Sequence, residues 1–288
     1  MKKGTLKLNT NRKKLSLVAQ SAGDFVRIED AEKILNLSRI QSAKLLSQWA
    51  SQGWLRRVGV GTYVPVPLDL LTSKQVVEDP WILVPTLFSP AYIGGRTATE
   101  YWDLTEQIFR DIVVFTSRPV RSRRVKSQSV TFTLKTIKKE KIFGTQIVWR
   151  GQTQVAVSDV YKTLIDMVDD PSIGGGIQHI SDCFDNFMKQ KHSKKPKDSS
   201  QKLDNYKQWK EHSFKKLIFY AEQLGNGAVF KRLGFLAERH PEGYDLAVAC
   251  KKNLTQGNAK LDSSLKCDHL ITRWRLWIPK SWLRKVVL

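Results

Sequence analysis

Between positions 38 and 63 the chain sets out Ser38, Arg39, Gln41, Ser42, Lys44 and Gln48, then Arg56, Arg57 and Tyr63. As a set these offer charge and hydrogen bonding rather than covalent chemistry. Guanidinium, ammonium, amide and hydroxyl groups are the donors and acceptors that pair with base edges and phosphate oxygens. The residues of covalent catalysis are dispersed by comparison. The histidines stand at 179, 192, 212, 240 and 269, and no GxSxG, HExxH or Cys-x-x-Cys pattern occurs. The sequence therefore predicts no catalytic set, no metal site and no cofactor.

Three other groups have residue types that could carry chemistry. Asp159 and Asp166 share a helix face and stand near Asp169 and Asp170, but no His or Cys accompanies them, so solvation or pairing with Arg is expected. Gly174-Gly175-Gly176 lacks the Gly-Lys-Ser/Thr of a phosphate loop and reads as a turn between helices, as Gly94-Gly95 reads as a turn before a helix that Thr97 or a neighbour caps. Arg118, Arg121, Arg123, Arg124 and Lys126 form a dense basic run. It suits either a solvated strand-to-strand loop or a patch that touches nucleic acid or a protein partner.

The elements that must position the first set are legible. Ala31, Ile34 and Leu35 lie at helical spacing behind the acids Glu29 and Asp30. Ser38 is a good N-cap for a second helix over 39–52. In that helix Ile40, Ala43, Leu46, Trp49 and Ala50 predict a buried stripe, which leaves Arg39, Gln41, Ser42, Lys44 and Gln48 outward. Gly53 closes it. Trp54, Leu55, Val58, Val60, Tyr63 and Val64 then flank Gly59 and Gly61 as two short β runs, with Arg56 and Arg57 on them. Helix, turn, helix and Gly-tipped hairpin make a winged helix-turn-helix, whose second helix enters a major groove. A winged helix used only for protein contacts has the same pattern, since fold alone does not fix function. A helix over 12–22 packs beneath through Leu15, Leu17, Val18 and Ala22, and residues 1–11 are expected to be loose.

The bulk numbers agree. The 288 residues carry 48 basic and 27 acidic side chains, a net +21, unevenly spread: +7 over 1–70, +2 over 71–190 and +12 over 191–288. A basic end bearing a helix-turn-helix points to nucleic acid, and the second basic region suits flanking phosphates, RNA or an acidic protein. Cys183, Cys250 and Cys267 are widely spaced, as reduced cytoplasmic thiols would be, and no apolar run predicts secretion or a membrane span. The expected organisation is a winged helix over 1–66, a linker at 67–76 and a larger mixed α/β domain over 77–288. Strands are expected at 112–116, 129–134, 145–149 and 273–278. Helices are expected at 97–104, 158–168 (capped by Ser158), 177–188, 204–224 and 228–238. An exposed Lys-rich connector is expected at 189–204.

Residues 91–104 (AYIGGRTATEYWDL), 116–121 (TSRPVR), 157–176 (VSDVYKTLIDMVDDPSIGGG) and 231–237 (KRLGFLA) stand in the order in which they occur in the AbiEi family of bacterial antitoxins, which the chain resembles over about 15–280. The Lys-rich connector and the basic region after 238 depart from it. The resemblance implies a winged helix that represses its own operon on inverted repeats. It also implies a C-terminal domain that opposes a toxin of nucleotidyltransferase fold in phage defence by abortive infection, without a tight complex. Two rivals remain: an antitoxin that binds its toxin stably, and a plain winged-helix regulator with a ligand-sensing second domain.

Overall fold

The computed structural model describes residues 3–66, 79–189 and 199–283; the expected linker and residues 190–198 of the connector lie outside them. The fold is mixed α/β, a winged helix followed by a larger α/β unit. Helix α1 (Lys3–Ala22) reaches further back than the expected start at 12. Val18 is buried under the reader, with Leu15 and Ala22 packed beside it. Leu17, expected inside, is exposed: it lies one residue, or about 100° around the helix, from Val18.

Strand β1 (Val26–Arg27), helices α2 (Ile28–Leu35) and α3 (Arg39–Ser51), and strands β2 (Leu55–Gly59) and β3 (Thr62–Pro65) follow. The start of α3 is a capping box: Ser38 Oγ accepts from the Gln41 N–H at 3.3 Å, and Gln41 Oε1 accepts from the Ser38 N–H at 3.0 Å. Its end is closed by Gly53 at φ +77°, with Trp54 N–H donating to Trp49 O and Gly53 N–H to Ala50 O. The strands form an antiparallel sheet in the order β1-β3-β2. Val18, Val26, Ala31, Leu46, Trp49, Leu55 and Tyr63 make this unit's core.

A 3-10 turn at Pro80–Ile82 leads into α4 (Leu83–Phe88), β4 (Ala91–Ile93), α5 (Gly95–Tyr101), β5 (Asp111–Thr116), β6 (Arg124–Ser127), β7 (Val130–Thr136), β8 (Thr145–Arg150) and β9 (Thr153–Ser158). These strands make a six-stranded mixed sheet in the order β6-β7-β5-β4-β9-β8. Its centre is buried on both faces, which explains the unbroken apolar run of β5: Ile112 and Val114 face one cluster, Val113 and Phe115 the other.

Helices α6 (Val160–Asp169), α7 (Ile177–Lys189), α8 (Ser199–Leu224), α9 (Gly227–Glu238) and α10 (Tyr244–Lys252) form a separate helical core. A small sheet of β10 (Ala259–Lys260), β11 (His269–Ile271) and β12 (Leu276–Ile278) closes it. Three expectations are corrected. Asp159, not Ser158, caps α6, its carboxylate accepting from the Lys162 N–H at 2.8 Å, because Ser158 still belongs to β9. Residues 199–204 of the expected connector are the first turns of α8. The strand expected over 273–278 is a 3-10 turn broken from β12 by Arg275 at φ +50°.

The two units also share a core. Phe25, Val58 and Val64 of the winged helix are buried with Leu83, Val84, Phe88, Ile93 and Phe132. Asp24 accepts hydrogen bonds from Gln152 N–H at 3.2 Å and Thr153 Oγ1 at 2.6 Å, and Gln128 Nε2 donates to the Arg57 carbonyl at 3.4 Å. The winged helix thus has a core of its own, and its wing also walls that of the next unit.

Candidate nucleic-acid interface

Leu46 and Trp49, both fully buried, fix the inward face of α3. Ser42 lies one turn before Leu46 and is carried in with it; Ile40 lies six residues before, roughly 120° away, and is carried out. Ser42 is therefore 0% exposed, with its hydroxyl unpartnered, and Ile40 is 82% exposed. This reverses both expectations of exposure: Ser42 is closed off from solvent, and Ile40 stands out as an apolar side chain of the kind that suits a thymine methyl. Gln41, Lys44 and Gln48, at spacings of three and four, are exposed along the outward face.

Arg39 opens the helix and is exposed, but it is not idle. Its Nη1 lies 2.8 Å from Glu29 Oε1 and 3.5 Å from Glu32 Oε2 on α2. The Glu29 hydrogen bond raises the guanidinium's pKa further, while backbone hydrogen bonding and then Arg39 hold the Glu29 carboxyl below its ordinary value. Ser38 is exposed and serves the cap.

On the wing, Arg57 is exposed and donates from Nε to the Gly59 carbonyl at 3.1 Å. Arg56 is half-buried, opposite Val64 in the ladder. Tyr63, expected to touch DNA, is only 6% exposed: it is a core residue paired with Val26 of β1. Val60, between Gly59 and Gly61, is 93% exposed at the wing tip.

The basic run is not one loop. Arg124 and Lys126 sit on the edge strand β6, exposed on alternate positions, and Arg121 is exposed before it. Arg118 donates to the Leu87 carbonyl at 3.1 Å, and Arg123 donates to Ser172 Oγ at 2.8 Å. The carboxylates of α6 are all engaged. Asp159 holds Lys216 and Tyr220; Asp166 is buried with Lys162 and Tyr92; Asp169 holds Lys135; Asp170 holds Lys135 and Arg123. No group of three His, Cys, Asp or Glu side chains suited to a metal ion occurs among the described residues. No helix among them is long and apolar enough to cross a membrane.

A helix cushioned on two others, presenting a polar face at its N-terminal half and followed by a β-hairpin with an outward cation, defines a winged helix-turn-helix. Residues 13–66 match the family model described as "Transcriptional regulator, AbiEi antitoxin", so this segment is similar to those regulators. No curated protein matches the chain.

Proposed function

We propose that the chain is a cytoplasmic antitoxin that represses its own promoter and counteracts a nucleotidyltransferase-like toxin, with no catalytic turnover of its own. The observation that carries the reading is the exposed row Gln41, Lys44 and Gln48 on a helix whose segment matches antitoxin regulators. In this reading the first half of α3 enters a major groove of the operator. Arg39, Ile40, Gln41 and Lys44 meet base edges or phosphates, and Arg57 meets the backbone or a minor groove. Two copies sit on inverted repeats. Repression belongs to residues 1–66, beyond a linker at 67–76, and antitoxicity to 77–288.

Gel shifts on the chain's own upstream DNA test the first half. Binding should fall with salt as counterions are released. Equal affinity for that DNA and a scrambled duplex at moderate salt would refute it. Growth rescue of cells expressing the neighbouring toxin gene tests the second half, and co-purification with that product separates stable binding from indirect antagonism.

A further inference from the structure

We propose that a recess between α5, β6 and the α6–α7 turn binds a small phosphorylated anion through Arg96, Arg123 and Arg124. The recess holds about 510 Å3 and is lined by Arg96, Ser122, Arg123, Arg124, Thr133 and Ser172. That volume is the size of a small-molecule site.

Its charged lining is all guanidinium, with the acids set behind as braces. Arg96, only 12% exposed at its side chain, is braced by Asp111 at 2.5 Å and by the Ser172 carbonyl at 3.3 Å. Its Nε is buried without a partner among the described residues. Arg123 is braced by Ser172 Oγ at 2.8 Å and Asp170 at 3.6 Å. Asp170 also lies 3.4 Å from Lys135, whose nearer partner is Asp169 at 2.7 Å. Arg124 is exposed and engages no acid among the described residues. The hydroxyls do not donate inward: Ser172 Oγ gives its proton to Asp170, Thr133 Oγ1 to Asp111, and Ser122 Oγ to the Arg124 carbonyl. What lines the recess is therefore three guanidinium groups: Arg96 fixed by Asp111 and Ser172, Arg123 fixed by Ser172 and Asp170, and Arg124 exposed at the rim. Forked donors of that kind match an oxyanion with several acceptors and offer nothing to a cation. The concave shape selects a compact ligand over a duplex edge.

Isothermal titration calorimetry of the full chain with inorganic pyrophosphate at low salt tests this. Saturable one-site binding is expected. Arg124→Gln and Arg123→Gln should each weaken it by about tenfold or more, the loss of a charge-assisted pair. Arg121→Gln, outside the recess, should leave it unchanged. Arg124 is exposed, so its variant should keep the parent melting temperature. No saturable heat at millimolar pyrophosphate, or an equal loss in Arg121→Gln, would overturn the proposal. So would displacement of pyrophosphate by a short operator duplex, which would make the recess a DNA contact. Operator binding that persists while pyrophosphate fails sinks this inference alone; the reverse sinks only the repressor reading.

Discussion

Arg39 reaches back across the turn to Glu29, so the head of α3, the recognition helix in the proposed reading, carries its own competitor for phosphate. A duplex must take Arg39 from that acid and bring a polyanion towards Glu29. Glu29→Gln should therefore tighten operator binding, most at low salt, and Arg39→Ala should weaken it by on the order of 1–3 kcal/mol if the side chain reads a base. Fluorescence anisotropy across a salt series measures both. If Glu29→Gln leaves affinity unchanged at every salt, Arg39 does not approach the duplex.

Ser42 and Ile40 give opposed expectations. Ser42→Ala removes a buried hydroxyl without a partner, so stability should rise by about 1 kcal/mol with operator affinity unchanged. Ile40→Ala trims an exposed side chain, so stability should move by less than about 0.5 kcal/mol while affinity falls. Urea unfolding beside anisotropy decides; weaker DNA binding by a folded Ser42→Ala would show that α3 sits differently on DNA.

Val58 and Val64 predict what deletion does. A fragment of residues 77–288 exposes the face of Leu83 and Phe88 that the wing covers, so it should melt below the full chain. Arg57→Ala separates the two activities more cleanly, because the side chain is exposed and holds only a carbonyl. It should lose repression in a promoter–reporter assay and keep growth rescue. Loss of both in a folded variant would count against the division of labour.

His179 and His240 predict the pH response. Burial pushes both imidazoles below the ordinary 6.5. Below that value the unfolded chain takes up protons that the folded chain refuses, so stability is constant above it and is lost as pH falls towards the lowered values. Urea midpoints should drop between about pH 7.5 and about pH 5.5, and His179→Phe should flatten the slope. A midpoint that rises over this range would contradict the assignment.

The sequence made local signals readable and left phase and pairing hidden. Ser38 and Gly53 bound α3 because capping chemistry is confined to a few residues. The run at 112–116 reads as a strand by composition, and that at 145–149 by its alternation at period two. The period of α3 was visible, yet its phase was not: Ile40 looked like core and Ser42 like surface until Leu46 and Trp49 set the inward face. Tyr63 went inward for a similar reason, its place fixed by a two-residue strand, β1, too short to announce itself. Arg96 and Arg123 meet across Ser172 only because α5, the loop before β6 and the α6–α7 turn converge, and no local pattern reports such a meeting.

Because Val58 and Val64 are buried among the side chains of the second unit, the pitch at which α3 stands is tied to the six-stranded sheet. Lengthening the chain between 66 and 79 would leave that pitch as it is. If α3 holds an operator as proposed, torsion on that DNA would reach the core around Phe88 and Phe132, which would join the duplex to the second unit mechanically.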